Sequence, residues 1–223
     1  RRRVCQQLRN DQPLTHAAHH AGFDSSSHLH GASGQTLGMK PGQYRKAGKG
    51  LALRVAIADS SLGAVLVAES ENGICAVAMG DDPDALLRDF QQEFSGAELL
   101  PGNNAFEQRV AMVITLIDAP LSTSAPLPDA LPLDIRGTAF QEQVWAALRS
   151  IPAGQTLSYQ ALAEKLGRPT AARAVARACA SNRLAVLVPC HRIVRADGGL
   201  SGYRWGVERK AALLGREQGK EQA

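Results

Sequence analysis

The chain has 223 residues, of which 44% are hydrophobic and 21% are charged, a composition typical of a folded globular protein and not of a disordered one. It contains no apolar run of about 18 residues, and it begins with basic residues instead of an apolar segment, so neither a transmembrane helix nor a signal peptide is expected. The four cysteines lack CxxC spacing, which argues against a disulfide scaffold and favours a reducing cytoplasm.

The net charge of +4 conceals three segments of alternating sign. Residues 1–49 carry +6, residues 50–133 carry −9 and residues 134–223 carry +7. Two basic segments favour a polyanionic partner such as nucleic acid, and the acidic segment is expected to face away from that partner. Chance drift of charge along the chain is the alternative interpretation.

Residues 1–48 have the pattern of short helices joined by glycine-containing turns, which is typical of a helix-turn-helix. The stretches 21–27 and 37–45 resemble the second half of an AraC-type DNA-binding domain. The position of its recognition helix, residues 28–34, contains two glycines and no lysine or arginine. This segment contains a cluster of five histidines: His16, His19, His20, His28 and His30. Surface histidines are a better interpretation of this cluster than a metal site, because no cysteine pair completes a ligand set.

The stretch 51–118 predicts a small α/β domain with antiparallel strands. Apolar runs of strand length occupy 51–58, 63–68 and 73–79, and Asn72-Gly73 indicates a hairpin between the last two. Helical patterns follow at 83–94 and 105–118. Residues 119–132 contain four prolines and are interpreted as a connection between domains.

Residues 133–218 predict a mostly helical domain. Thr138 can cap a helix that runs to Arg149, and Ser158 can cap a short helix from Tyr159 to Leu166. Thr170 is then expected to cap a helix over 171–180, so that the last two helices form a helix-turn-helix. A final helix is predicted from Val207 to about Glu217.

The helix over 171–180 is unusually thin, because alanine occupies six of its ten positions. Arg173 and Arg177 are four residues apart and share one face. A thin helix with almost no long polar side chains suits the minor groove better than readout of bases in the major groove. A packing helix with two solvated arginines is the alternative.

A cysteine and a histidine follow the apolar run 184–188, which is predicted to be a buried strand that carries this pair out to its end. A thiol must be activated to react at neutral pH, so His191 is a candidate base for Cys190. Neighbours on a strand point to opposite faces, so a bridging water between the two is plausible. Asp197, Glu208 and Glu217 are candidates for the carboxylate that would orient the imidazole.

The hexapeptide Pro189-Cys190-His191-Arg192-Ile193-Val194 resembles the active-site signature of the O6-alkylguanine-DNA alkyltransferases. The resemblance spans about residues 51–217, is strongest over 133–217, and is closest to the bacterial adaptive-response members of the family. Several further stretches match in order: 140–145, 156–159, 172–175, 181–182 and 201–206.

The resemblance implies a role for each matching residue. Cys190 would accept the alkyl group, and Glu217, His191 and a water would form the relay that produces the thiolate. Tyr159 would donate a proton toward the departing guanine, and Asn182 would link the recognition helix to the active-site strand by hydrogen bonds.

The resemblance also implies a DNA surface and a pocket for an extruded base. The DNA contacts would come from Thr170, Ala172, Arg173, Ala174 and Arg177, with Arg173 entering the base stack. The base pocket would be formed by Cys179, Ile193, Tyr203 and Arg204.

Together these observations predict an α/β plus α protein. A partial AraC-type segment (1–48) precedes a ribonuclease-H-like α/β domain (51–118), a linker (119–132) and a helix-turn-helix alkyltransferase domain (133–218). The expected function is DNA repair by irreversible, single-use transfer of a methyl group from O6-methylguanine to Cys190, with O4-methylthymine as an open possibility.

The expected protein is a monomer that needs no cofactor or metal, binds double-stranded alkylated DNA and no membrane, and works at the bacterial nucleoid in the cytoplasm. Three other functions remain in view. They are a transcriptional regulator that binds promoter DNA through residues 1–48, a damage sensor without repair activity, and a cysteine hydrolase.

Overall fold

The computed structural model describes residues 50–119 and 131–219. The predictions for the AraC-type segment and its histidines, and for most of the 119–132 connection, therefore lie outside the described residues. Within the described ranges, none of the helices has the length and apolar character needed to cross a bilayer.

The first part of the structure is a four-stranded sheet with two helices, in which three antiparallel strands and both helices are those that the sequence predicts. The sheet has the strand order β3-β2-β1-β4, with antiparallel pairs except for the parallel pairing of β1 with β4. Strand β4 has only three residues and was not predicted. The elements are β1 (Ala52–Ser60), β2 (Gly63–Ser70), β3 (Gly73–Gly80), α1 (Pro83–Glu93), β4 (Glu98–Leu100) and α2 (Asn104–Asp118).

The predicted hairpin joins β2 to β3, but its two-residue loop is Glu71-Asn72, one residue earlier than expected. Gly73 instead opens β3 with φ +135, and a Cβ there would lie 2.3 Å from the Pro132 carbonyl oxygen. Only glycine allows both the positive φ and this close approach. The chain returning from the connection therefore lies along β3, where the Ile74 amide donates to Pro132 O at 2.8 Å.

The second part of the structure is mainly helical. Its first helix carries a capping box in which Thr138 and Gln141 exchange side-chain and backbone hydrogen bonds, a motif that stabilises a helix by about 1 kcal/mol. Trp145 Nε1 donates to Ala178 O at 3.0 Å and so ties this helix to the alanine-rich one. The elements are α3 (Ala139–Arg149), β5 (Leu157–Ser158), α4 (Tyr159–Lys165), α5 (Ala172–Ala180), β6 (Ile193–Val194) and α6 (Val207–Glu217).

The predicted buried strand over residues 184–188 is wrong. Leu184 makes one isolated bridge to Val77 of β3, and the chain then turns at once. Val186 has φ 65, a left-handed conformation that costs a β-branched residue about 1–2 kcal/mol. The apolar run is buried because it turns inside the core, which a hydrophobic pattern alone does not distinguish from a strand.

The expected Thr170 cap is also wrong. Residues Pro169–Ala171 form a short 3₁₀ helix, and α5 begins at Ala172 without a side-chain cap. Proline at the first position pre-sets the backbone for this turn, so the chain enters α5 without needing the threonine hydroxyl.

The two parts share one continuous hydrophobic core. It includes Val77 of the sheet, Val113 of α2, Trp145 of α3 and Cys190. The sheet part therefore packs directly behind the segment that carries the reactive cysteine.

Candidate active site

Cys190 opens a short 3₁₀ helix, Cys190–Arg192, and is only 6% exposed. Its Sγ accepts a hydrogen bond from Asn182 Nδ2 at 3.2 Å. The same amide group donates to Val188 O at 2.8 Å, and Asn182 Oδ1 accepts from the Leu184 amide at 2.9 Å. Asn182 therefore holds the turn between residues 184 and 188 and, through it, the position of the thiol.

The thiol of Cys190 is neutral at rest. Burial raises its pKa to about 11, although the Asn182 hydrogen bond and the charge of Lys210 partly offset that rise. A neutral thiol is a weak nucleophile, so a base must remove its proton when the reaction occurs.

His191 is fully buried, and its Nε2 lies 2.9 Å from Glu217 Oε1. Because an ionised carboxylate can only accept, Nε2 carries the proton and Nδ1 is left as the acceptor. Burial lowers the pKa of His191, and Glu217 only partly compensates, which keeps the ring neutral. Nδ1 has no hydrogen-bond partner among the described residues, so it is free to receive a proton.

Glu217, at the end of α6, is held as a carboxylate. Burial alone would raise its pKa, but hydrogen bonds from His191 and Arg192 outweigh burial and lower it to about 2. Arg192 binds both carboxylate oxygens, with Nε–Oε2 at 3.0 Å and Nη2–Oε1 at 2.8 Å. The Gly154 amide donates to Oε2 at 3.1 Å. Sequence reasoning gave Arg192 no role in this chain of bonds.

The other two candidate carboxylates do not contact His191. Asp197 is exposed and accepts only from the nearby Gly199 amide within the described part of the chain. Glu208 is exposed in the first turn of α6, at the opposite end of the helix from Glu217.

Tyr159, the first residue of α4, is connected to two residues that sequence reasoning missed. Its hydroxyl lies 2.8 Å from Ser201 Oγ, which in turn lies 3.0 Å from Lys210 Nζ. Lys210 is fully buried and also donates to Ile193 O. Burial lowers the pKa of Lys210, and burial raises that of Tyr159. A lysine on the inward face of α6, in register with Leu213, Leu214 and Glu217, is the signal that could have revealed it.

The residues assigned to the base pocket differ in their exposure. Ile193 and Cys179 are buried, and burial raises the Cys179 pKa far above its usual range, which leaves that thiol unreactive. Tyr203 packs edge-on against His191, with ring centroids 6.4 Å apart, and against Trp205 at 5.0 Å. The Arg204 side chain is partly exposed.

The residues assigned to DNA contacts lie on and before α5. Arg173, Arg177 and Thr170 are exposed, whereas Ala172 and Ala174 are half-buried. Val175, Ala178 and Cys179 form the buried face of the helix. In residues 50–119 and 131–219, no cluster of three His, Cys, Asp or Glu side chains is arranged to hold a metal ion.

Two family models match this chain. The 6-O-methylguanine DNA methyltransferase ribonuclease-like domain matches residues 53–135, and the DNA binding domain of the same family matches residues 139–219. These matches confirm a small sheet domain followed by a helical DNA-binding domain.

Similar proteins point the same way. The bifunctional transcriptional activator/DNA repair enzyme Ada of Escherichia coli is 51% identical over 221 residues, which are 99% of this chain and 61% of that protein. A methylated-DNA–protein-cysteine methyltransferase of Mycobacterium bovis is 50% identical over 91 residues, 41% of this chain and 55% of its own length. This chain thus spans roughly three fifths of the Ada sequence that it matches.

Solved structures show the same fold. OGT of Mycobacterium tuberculosis, solved in complex with DNA, superposes with a TM-score of 0.60 at 33% identity and covers 77% of this chain and 96% of its own. The O6-methylguanine-DNA methyltransferase of Pyrococcus kodakaraensis shares the fold at 24% identity, with a TM-score of 0.58. With nearly the whole of a 33% identical relative covered and both family models matched in order, this chain belongs to the O6-methylguanine DNA methyltransferase family.

Proposed function

We propose that this chain repairs DNA directly, by moving the methyl group of O6-methylguanine onto Sγ of Cys190. The observation that carries this proposal is the buried thiol held by Asn182 next to the His191–Glu217–Arg192 chain of hydrogen bonds. Relatives of this chain are named methylated-DNA–protein-cysteine methyltransferases.

The proposed reaction balances within these residues and one water. The thiol proton passes through the water to His191 Nδ1, and Glu217 stabilises the charge that the imidazole acquires. The Sγ–CH₃ bond forms as the CH₃–O6 bond breaks, and the departing guanine takes a proton from Tyr159. A thioether has no easy hydrolysis, so each molecule is used once.

Docking on the DNA minor groove through α5 is part of the proposal. The alanines of α5 allow close approach to the groove floor, and the exposed Arg173 and Arg177 side chains suit contacts with the phosphate backbone and the base stack. The O6-methyl group is inaccessible inside a duplex, so the nucleotide must rotate out, at a cost of a few kcal/mol. Arg173 would replace the lost stacking, and Tyr203, Arg204, Ile193 and Cys179 would surround the base.

The active species is proposed to be a monomer that acts on double-stranded DNA without a cofactor. A thiol that must stay reduced and a DNA substrate both fit the bacterial cytoplasm at the nucleoid.

Mass spectrometry tests the proposed function. After incubation with duplex DNA that contains O6-methylguanine, the peptide with Cys190 should gain one methyl group, up to one per protein molecule. The same duplex with unmodified guanine serves as the control. A folded protein whose Cys190 stays unmodified would refute the proposal, and continued turnover would indicate a hydrolase instead.

A second function is proposed for residues 1–48. The resemblance of this segment to half an AraC-type domain, and the alignment of 221 residues with a protein named as a transcriptional activator, favour a regulatory role. Sequence-selective binding to promoter DNA should then be lost when residues 1–48 are deleted, while methyl transfer continues. Equal promoter binding by both forms would contradict the regulatory role.

A further inference from the structure

One carboxylate of the acidic sheet domain connects two loops of the active site. Glu93, the last residue of α1, lies 2.5 Å from the Arg183 guanidinium and 3.7 Å from that of Arg204. Arg183 directly follows Asn182, and Arg204 directly follows Tyr203. Glu93 therefore links the segment that holds the thiol to the segment that would surround the substrate base.

The two arginines are themselves attached to these segments. Arg204 Nη1 donates to the backbone oxygen of Asn182 at 3.4 Å. The Arg183 guanidinium lies over the Phe94 ring, 5.6 Å from its centroid, which adds a second restraint on its position. The path from Glu93 thus reaches Asn182, whose amide donates to Sγ of Cys190.

Strand β3 restrains this segment only in part. The Val77 amide donates to Arg183 O at 2.8 Å, and the Ala185 amide donates to Val77 O at 3.1 Å. These bonds fix the backbone after Asn182, but neither of them involves the carbonyl oxygen of Asn182. Within the described ranges, the Asn182 carbonyl oxygen accepts a hydrogen bond from Arg204. The carboxylate that pairs with the Arg204 guanidinium is that of Glu93.

We propose that Glu93 is a positioning residue for methyl transfer, which fixes Asn182 and the Tyr203–Arg204 loop relative to each other. This inference rests on the proposed function. Glu93 touches no reacting atom and acts through the two arginines. Small displacements of reacting groups are costly for a transfer step, so a residue that fixes their spacing affects the rate.

If Glu93 served only to stabilise the fold, its loss would reduce the amount of folded protein and not the rate of methyl transfer. The Glu93 side chain is 29% exposed, and ion pairs at that exposure contribute little to folding stability. Removal of its charge should therefore leave the protein folded but slower. Because each molecule accepts one methyl group, the amplitude of a single-turnover experiment counts active molecules, and the rate constant describes those molecules alone.

The test compares Glu93→Gln with Asp89→Asn in single-turnover methyl transfer from O6-methylguanine duplex DNA to the full chain. Asp89 lies one turn earlier on α1, is exposed, and forms no ion pair within the described ranges. For Glu93→Gln, the rate constant at saturating DNA should fall about tenfold, with an unchanged amplitude and an unchanged half-saturating DNA concentration. Asp89→Asn should react like the wild type.

A double variant tests whether Glu93 acts on methyl transfer through Arg183. When Arg183→Met is added to Glu93→Gln, the rate constant should fall by less than the product of the two single effects, because both changes break one network. A saturating rate constant for Glu93→Gln within about twofold of the wild type would overturn the proposal. The proposal would also be overturned if Glu93→Gln lost amplitude without a change in rate constant, or if Asp89→Asn slowed methyl transfer equally. A wild-type protein that leaves Cys190 unmethylated would refute the proposed function, and this role with it.

Discussion

A Cys190→Ser variant should accept no methyl group from O6-methylguanine DNA, while it still folds and binds that DNA. A serine hydroxyl is far less acidic than a thiol, so the neutral His191 cannot produce an alkoxide from it. Serine is close in size to cysteine and can still accept the Asn182 hydrogen bond, which should preserve the fold. The measurement is transfer of a labelled methyl group to protein, beside DNA binding followed by fluorescence anisotropy.

The matched control for this variant is Cys75→Ser. Cys75 lies in β3, and burial raises its pKa to about 12, which makes it a poor nucleophile. This control should be methylated as fully as the wild type. Label retained by Cys190→Ser would instead show that another thiol is the acceptor.

Glu217→Gln should slow methyl transfer by two orders of magnitude or more, within the range of about 10²–10⁴ that a general base contributes. Glutamine has nearly the same shape but no charge to stabilise a protonated His191, and it leaves Arg192 without its ion-pair partner. Single-turnover rate constants at saturating DNA measure the effect. Glu208→Gln, on the same helix but exposed, is the control and should react at the wild-type rate.

Comparison of the wild type with Glu217→Gln also reports the protonation state of Glu217. Its pKa lies at about 2 in the folded protein against 4.5 for the free side chain. A lowered folded-state pKa stabilises the protein fully above pH 4.5, and this contribution, about 3 kcal/mol, is lost as the pH falls towards 2. The stability difference between wild type and Glu217→Gln in urea should therefore shrink over that range. A stability difference between the two proteins that does not change with pH would contradict the lowered pKa of Glu217.

Local patterns explain how much of the fold was predictable. The β2–β3 hairpin was predicted to within one residue, and the helix after Thr138 was predicted as well, because turn and cap residues act over a few positions. Strand β4 was missed because its three residues are too few for a periodicity and one of them, Leu99, is half exposed. The turn at Val186 was mistaken for a strand because its geometry depends on Asn182 and β3, which are tertiary contacts.

The same division holds at the active site. Cys190 and His191 were predicted from their position after an apolar run, the family resemblance implied Glu217 as their partner, and the structure brings His191 and Glu217 within hydrogen-bonding distance. Without the resemblance, three carboxylates remained candidates for the partner of His191. A separation of 26 positions in sequence, such as that between His191 and Glu217, does not indicate contact. Lys210 and Ser201 were missed for a related reason, since only the packing of α6 places a lysine inside the protein.

The ion pairs of the helical domain have a consequence for counterion release on DNA. An arginine that is already paired with a protein carboxylate is less available to neutralise a DNA phosphate, so it should release few of the cations condensed on DNA and contribute little to the salt dependence of binding. The paired arginines are Arg136, Arg183, Arg192, Arg204, Arg209 and Arg216.

In the proposed DNA complex, the remaining exposed cations of this domain should carry that dependence. Within residues 131–219, those without an ion pair are Arg149, Lys165, Arg168, Arg173, Arg177 and Arg195. Four of the paired arginines, Arg183, Arg204, Arg209 and Arg216, have their partners in the acidic sheet domain, which therefore acts as their internal counterion. In the proposed DNA complex, the salt dependence of binding should therefore come from the unpaired cations, with Arg173 and Arg177 of α5 among them.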